Sequence, residues 1–500
     1  MKLYKLMDRI RDNISDYKKD ESYNDICIED IVYDSRKAKG DTIFVAIKGE
    51  TVDGHNYIKN AYDNGCRIFV VDSKNEKIHD IESLYIDGIF IKVDNTRRAL
   101  SKMSSEFFGN PSKYLKVIGV TGTKGKTTIT NYIKTVLTES GLNTGVIGTN
   151  GVFYNDVSKK TINTTPESYE LHKTMKEMIE NGVKCVAMEV SSSGLMMNRV
   201  EDIEFDIGVY TNLSPDHIGP KEHETFEDYR HCKSLLFKLC KCGIINVDDE
   251  NAKYMIENST CIINTFSIEK DSDIKAENIN LTRNEKVLGA NFDYICGSER
   301  KKISICSPGR FSIYNALAVI SVCKYLGIDE DKMTMALENA KVDGRVEVLP
   351  VLPYSTVVVD YAHNGMSLEN VLTTLHKYSP NRMIVVFGSI GGRAALRRKE
   401  LGDVAAKMAD ICVLTTDNPD FEDPMSIIED IEKSFVDSNC EVYKIVDRSE
   451  AIYKALSLAK EGDMVVITGK GHEKYQLIKG ERVFFDEKEE IIKAAKKILG

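Results

Sequence analysis

The sequence has no tryptophan, no low-complexity tract and no internal repeat. No apolar run approaches the about 18 residues that a membrane-spanning helix needs, which excludes such a helix. Met1-Lys2-Leu3-Tyr4 begins no apolar signal core, so a cytoplasmic location without membrane insertion is expected. An excess of basic residues is also missing. Lysine and arginine number 67 against 77 aspartates and glutamates, a net charge of −10. That balance argues against a nucleic-acid partner, which would call for basic stripes. None of the 12 cysteines forms a Cys-x-x-Cys pair. Cys240-x-Cys242, with His231 and Cys232 nearby, is the closest spacing, and no second pair completes a metal site there. Reduced structural thiols are therefore expected.

What is present begins with Gly119-Val120-Thr121-Gly122-Thr123-Lys124-Gly125-Lys126-Thr127-Thr128. The apolar run Tyr114 to Ile118 precedes it and reads as a buried strand. Ile129 to Ser140 follows it, with Ile129, Ile133, Val136 and Leu137 at helical spacing. Strand, glycine-rich turn, Gly-Lys-Thr and helix form the context of a phosphate-binding loop. Backbone N–H groups and the helix N-terminus would face phosphate oxygens. Lys126 would reach the β/γ-phosphates and Thr127 would ligate magnesium. Gly119 and Gly125 enclose five residues rather than four, so the loop is a variant.

The length suggests about three domains. Residues 1–112 alternate short apolar runs (Thr42 to Ile47, Arg67 to Val71, Ile89 to Val93) with helix-compatible segments and end at Asn110-Pro111-Ser112. Residues 113–342 carry the loop and strand candidates at Cys185 to Val190, Asp206 to Tyr210 and Gly243 to Val247. Residues 343–500 add Thr356 to Val359, Met383 to Phe387, Ile411 to Leu414 and Met464 to Ile467. Continuous β-branched runs between amphipathic stretches predict α/β domains with mostly parallel sheets covered on both faces. Residues 267–306 are more polar and read as a small antiparallel insertion. Ligands of parallel sheets bind beyond the carboxyl ends of strands. The chemistry gathers at those ends: Glu189 and Ser191, Asn212 to His217, Asp360 to His363, Gly388-Ser389, Asp417 to Asp420, and Gly469 to Glu473.

Together these blocks resemble the Mur ligase family, ATP-dependent amide-bond synthetases of peptidoglycan assembly. Gly-Thr-Lys-Gly-Lys-Thr-Thr, Glu189-Val190-Ser191-Ser192, Thr211-Asn212-Leu213-Ser214-x-Asp216-His217, Asp360-Tyr361-Ala362-His363 and Gly469-Lys470-Gly471-His472-Glu473 match its blocks in order. The N-terminal Asp34-Ser35-Arg36 and Asp417-Asn418-Pro419 resemble the branch that adds the third residue to UDP-N-acetylmuramoyl-L-alanyl-D-glutamate. The resemblance implies an N-terminal uridine-nucleotide domain, a central P-loop ATPase domain and a C-terminal Rossmann-like domain. It implies a ligase that activates a carboxylate as an acyl phosphate for attack by an amine. Lys126, Glu189, His217 and Lys233 would be catalytic. ATP would be held by Gly122, Thr123, Lys124, Gly125, Lys126, Thr127, Thr128, Asn315, Arg345 and Asp360. Thr127, Glu189, His217 and a carbamylated Lys233 would serve magnesium. The UDP-muramoyl-dipeptide would meet Tyr33, Ser35, Thr51, Asn163, Thr164, Thr165, Ser191 and Arg199. The chain departs from the pattern at Ser193, where histidine is usual, and at Met197, which cannot replace the hydrogen bonds of the common glutamine.

The incoming amino acid would meet Arg393, Asp417, Asn418, Pro419, Asp420, Gly469 and Glu473. Relatives that take meso-diaminopimelate resemble Asp-Asn-Pro-Arg at this site, and this chain has Asp420 in place of the arginine. Two like charges at about 4 Å cost roughly 4 kcal/mol at an effective dielectric of about 20. On that ground a lysine- or ornithine-like diamino acid is expected. Diaminopimelate, a divergent ligase with another acceptor, and a non-catalytic nucleotide-binding scaffold are the alternatives. A monomer is expected.

Overall fold

A computed structural model describes the chain apart from residues 18–22, 24, 50–51, 216–217, 220–222, 285–286, 341–345, 393–394 and 472. Four residues expected in sites, Thr51, His217, Arg345 and Arg393, thus lie outside the described residues. The chain forms two compact units. One is Met1–Asp273 with Ala318–Met333, the other Ile274–Leu317 with Thr334–Gly500.

The first unit contains two sheets. In the N-terminal sheet, β1 (Ile14–Tyr17), β2 (Asp30–Val32), β3 (Thr42–Val45), β4 (Ile68–Asp72) and β5 (Ile89–Val93) lie in the order β1-β5-β4-β3-β2. Only the edge pair β1–β5 is antiparallel. Val45 and Val70 join one buried cluster and Phe44 and Phe69 another. Side chains alternate across a strand, so a continuous apolar run fills both faces.

The central sheet is built from β6 (Lys116–Thr121), β7 (Thr144–Gly148), β8 (Gly151–Tyr154), β9 (Val157–Lys159), β10 (Cys185–Glu189), β11 (Phe205–Tyr210), β12 (Cys240–Asn246) and β13 (Ile262–Ser267). Their order is β13-β12-β11-β6-β10-β7-β8-β9. From β13 to β7 the pairing is parallel, and β8 and β9 return antiparallel at the edge. The loop after β6 runs into the helix Lys126–Glu139, which buries Ile129, Ile133, Val136 and Leu137, the stripe its spacing predicts.

In the second unit, β14 (Ile274–Arg283), β15 (Leu288–Cys296) and β16 (Glu299–Ile305) form the antiparallel insertion expected near residues 267–306. Then come β17 (Glu347–Leu349), β18 (Thr356–Asp360), β19 (Met383–Phe387), β20 (Ile411–Leu414), β21 (Glu441–Lys444) and β22 (Met464–Thr468), ordered β17-β18-β22-β19-β20-β21 and parallel except for β17. A hairpin, β23 (Tyr475–Ile478) and β24 (Glu481–Phe484), follows. Arg283 pins the insertion to this sheet by donating to the carbonyls of Gly462 at 2.8 Å and Asp463 at 3.0 Å. Tyr378 adds a second pin, its hydroxyl donating to the Gly289 carbonyl at 2.9 Å. Among the described residues no helix is long and apolar enough to cross a membrane.

Candidate active site

In the first unit, β11, β6, β10 and β7 are neighbours, so the segments beyond their carboxyl ends converge. The loop after β6 is shaped by close approach. Gly122 has φ +145, and a Cβ there would sit 1.9 Å from Thr211 Oγ1. Only glycine fits that backbone and that space. The segment after β11 clamps the loop. Thr123 N–H donates to the Asn212 carbonyl at 2.9 Å, Lys124 N–H to Asn212 Oδ1 at 3.0 Å, and Thr211 Oγ1 to the Lys124 carbonyl at 2.7 Å. Gly125, with φ +92, caps the helix that carries Lys126, Thr127 and Thr128. Lys126 Nζ folds onto the carbonyls of Gly122 at 2.8 Å and Thr123 at 3.0 Å.

Glu189 is the last residue of β10 and is 1% exposed. Its Oε1 accepts from Thr127 Oγ1 at 3.0 Å and from Thr149 N–H at 2.9 Å, and its Oε2 accepts from Thr149 Oγ1 at 3.2 Å. Among the described residues, the donors to this buried carboxylate are all neutral. Oxygen donors with one formal negative charge are the set a magnesium ion takes. Lys233 lies on the helix Phe226–Ser234 and is 2% exposed. Its Nζ donates to the Gly122 carbonyl at 3.0 Å and lies 4.5 Å from the centroid of the Tyr229 ring.

A polar chain continues from Glu189. Thr165 Oγ1 donates to the Glu189 carbonyl at 3.0 Å, accepts Ser191 N–H at 2.9 Å and lies 3.1 Å from Ser191 Oγ. Arg199 donates to the Thr165 carbonyl at 3.1 Å and to Glu167 Oε1 at 2.9 Å. Arg97 Nη1 also donates to both Glu167 oxygens, at 3.1 and 2.9 Å. Two guanidinium groups thus share the Glu167 carboxylate next to Thr165. That suits an anionic ligand group. Thr164 Oγ1 is 3.0 Å from Thr149 Oγ1, while Asn163 makes no side-chain hydrogen bond among the described residues. Tyr33 faces Glu170, and burial with that neighbouring carboxylate pushes its phenol far above the usual range. Ser35 is buried, its carbonyl accepting from Asn64 Nδ2 at 2.9 Å.

The second unit gathers its own cluster at the ends of β18, β22, β19 and β20. Lys470 is fully buried. It lies 2.9 Å from Asp417 Oδ1 and 3.3 Å from Glu473 Oε2, and it donates to Asn418 Oδ1. Gly469, with φ +113, would place a Cβ 3.1 Å from Asp417 Oδ2. Tyr361 donates to Glu473 Oε1 at 3.3 Å, and burial next to that carboxylate pushes its phenol up to about 12. One ammonium between two carboxylates leaves the cluster net negative, which favours an incoming amine. Pro419 packs its carbonyl against Gly391, where a Cβ would sit 1.9 Å from it. Asn315 is buried on the helix Arg310–Tyr325. The Asp360 carboxylate accepts Ala362 N–H at 2.7 Å and Val346 N–H at 2.8 Å.

Comparison with known proteins bears on the whole chain. The Mur ligase family catalytic domain matches residues 28–108, the Mur ligase middle domain residues 120–323, and the Mur ligase glutamate ligase domain residues 344–471. A UDP-N-acetylmuramoyl-L-alanyl-D-glutamate--2,6-diaminopimelate ligase of Clostridium botulinum is 40% identical, over 94% of this chain and 96% of that protein. The protein of the same name from Clostridium perfringens is 41% identical, over 95% and 96%. The chain belongs to the Mur ligase family. A solved structure of a ligase with that same name superimposes on this Mur ligase with a TM-score of 0.75 at 28% identity, covering 97% of this chain and 98% of the other. The ADP complex of MurF from Thermotoga maritima, at 18% identity and a TM-score of 0.58 over 95% and 98%, shares the fold.

These findings favour diaminopimelate, the alternative, over the lysine- or ornithine-like amino acid expected first. The relatives of this Mur ligase are named for diaminopimelate, against the lysine- or ornithine-like expectation drawn from Asp420. The structure gives Asp420 a role that the charge argument did not weigh. Asp420 has φ +52, a left-handed conformation that aspartate tolerates. Its Oδ1 accepts Gly480 N–H at 2.8 Å, and its backbone bonds Leu477 and Lys479. The side chain thus bonds the β23–β24 turn. Sequence reasoning also passed over Thr149, Glu167, Arg97 and the buried role of Lys470. Only Lys470 had a signal, its place inside Gly469-Lys470-Gly471.

Proposed function

We propose that this Mur ligase joins 2,6-diaminopimelate to UDP-N-acetylmuramoyl-L-alanyl-D-glutamate at the expense of ATP. The observation that carries the reading is near-full-length similarity to ligases of that name, in a chain whose phosphate loop, Thr127 and Glu189 stand in one hydrogen-bonded cluster.

Lys126 and the loop N–H groups hold the ATP phosphates. Thr127 Oγ1 and the Glu189 carboxylate fit magnesium, which supplies positive charge against the phosphates when bound. Arg199, with Thr165 and Ser191, receives the anionic end of the muramoyl dipeptide and orients its carboxylate. Transfer of the γ-phosphoryl group to that carboxylate gives an acyl phosphate and ADP. The amine then displaces phosphate, forming the amide. In the second unit Glu473 and Asp417 attract the ammonium of the amino acid, and a proton must leave it before attack. Lys233 is buried beside the loop. As a carbamate it would change from cation to anion and add an oxygen donor. His217, Arg345 and Arg393 keep the roles the resemblance implies, as does a monomeric, cytoplasmic enzyme.

Phosphate release with the UDP-dipeptide, ATP and a panel of amino acids tests the reading. Turnover that depends on diaminopimelate and exceeds that with lysine or ornithine is expected. A preference for another acceptor, or no amino-acid-dependent turnover, overturns it.

A further inference from the structure

Outside the clusters above, one group of side chains has the composition of a metal site. His223, Asp228 and Cys232 each offer a ligand atom, and these atoms all lie within 4.8 Å of one another. Among the described residues no other group of three does so.

Local structure sets them there. Thr225 caps the helix Phe226–Ser234 by accepting Asp228 N–H at 3.1 Å. Asp228 therefore lies in the first turn, and Cys232 follows one turn later on the same face. His223 precedes the cap, and its carbonyl accepts Gly219 N–H at 3.1 Å. Its imidazole is 1% exposed and packs on Tyr229 with ring centroids 5.1 Å apart. His223 Nδ1 is 2.8 Å from Asp228 Oδ2, and Cys232 Sγ is 3.7 Å from Asp228 Oδ1. Among the described residues, the buried His223 Nε2 has no hydrogen-bond partner.

The donor chemistry selects the ion. Magnesium and calcium take oxygen ligands, whereas imidazole nitrogen, thiolate sulfur and carboxylate oxygen together suit zinc. With bonds of about 2.0–2.3 Å, tetrahedral donors stand about 3.3–3.7 Å apart. The 2.8 Å from His223 Nδ1 to Asp228 Oδ2 and the 3.7 Å from Cys232 Sγ to Asp228 Oδ1 bracket that spacing, and the three ligand atoms lie within 4.8 Å of one another. Charge agrees. A carboxylate, a thiolate and a neutral imidazole around a divalent ion form a neutral unit, the kind a buried position accepts. We propose that His223, Asp228 and Cys232 form a zinc site with three protein ligands and one water. On binding, the thiol and any proton on Nδ1 pass to solvent, and nothing is oxidised or reduced. The ion would fasten the segment before the helix to its first turns. Tyr229 would carry that stiffness onward, since its hydroxyl lies 3.2 Å from Thr123 Oγ1 of the phosphate loop.

The test uses the full-length protein, stripped with a chelator and then held in excess Mg²⁺ and ADP. Titration with Co²⁺ is expected to saturate at one equivalent with a near-ultraviolet thiolate-to-cobalt charge-transfer band, which Zn²⁺ removes. Cys232→Ser is expected to abolish the band. His223→Gln is expected to weaken zinc binding by more than the about 100-fold that loss of an outer-shell partner costs. Cys261→Ser, outside the cluster, should change neither. Absence of the band in the unaltered protein, or its survival in Cys232→Ser, overturns the proposal. The first of these outcomes does not depend on how the variants fold.

Discussion

Thr127 Oγ1 donates to Glu189 Oε1 across 3.0 Å, joining the first turn of the phosphate-loop helix to the end of the neighbouring strand. A hydroxyl and a buried carboxylate fixed at that distance present two oxygens to one point. Glu189→Gln keeps the shape and removes the charge. It is expected to lower kcat by about 10²–10³-fold with little change in fold. Phosphate release across a magnesium titration checks this, and a variant as active as the parent at every concentration refutes it.

Gly148 guards the same carboxylate without touching substrate. A Cβ there would sit 2.3 Å from Glu189 Oε1. Gly148→Ala should displace Glu189 and reduce kcat by about 10²-fold, although no reacting group is removed. Gly182→Ala is the comparison. It has open space around its Cβ position and φ +77, and it should lose stability but keep its kcat.

Glu167 holds Arg97 and Arg199 together, with side chains 12–13% exposed. Glu167→Ala removes the carboxylate that both guanidinium groups share, at a cost of about 3–5 kcal/mol. Acting only through Arg199, the change should raise KM for the UDP-dipeptide by about tenfold. KM for ATP should stay within about twofold. Steady-state kinetics with each substrate varied in turn separates the two, and an equal rise in both would rule out a positioning role.

Asp420 is predicted to matter for the turn and not for the choice of amino acid. Asp420→Ala loses the bond from Gly480 N–H and strains the φ of +52, for about 1–2 kcal/mol. Asp420→Asn keeps both features and should stay within about 0.5 kcal/mol of the parent. Thermal unfolding and the ratio of kcat/KM for diaminopimelate over lysine check the pair. A large swing of that ratio in Asp420→Asn would return the residue to the specificity site.

His172 sets a pH dependence of stability. It is fully buried, neither ring nitrogen has a hydrogen-bond partner among the described residues, and burial pulls its pKa down to about 4. The unfolded chain, with a histidine near 6.5, binds a proton that the native state refuses. Stability from this residue is complete above pH 6.5 and falls as pH drops from there toward 4. The loss is about 3 kcal/mol, from 1.36 kcal/mol per unit. Denaturant midpoints at pH 7.5 and 4.5 should converge more in His172→Phe than in the parent. Equal slopes in the two proteins would exclude the effect.

Much of this was legible along the chain. β4, β19 and β22 declared themselves because strands buried on both faces read as continuous β-branched runs. Thr127, Glu189 and Lys233 were legible because motif spacing ties each to a strand end or helix turn. Glu167 and Thr149 were not, because their partners are far away in sequence and neither residue type is distinctive alone. Asp420 was legible as a charge but not as a turn residue, since a carboxylate's effect depends on what it already bonds.

The sequence by itself determined the alternating α/β order, the phosphate loop and the family blocks at strand ends. Those depend on local periodicity, glycine at forced turns and short motifs, all written within a few residues. Tertiary structure alone decided which strand ends are neighbours, that Arg97 and Arg199 share Glu167, that Asp420 turns into a hairpin, and that His223 meets Cys232. Each of these rests on distances between groups brought together by packing, and packing is a property of the folded chain rather than of any segment.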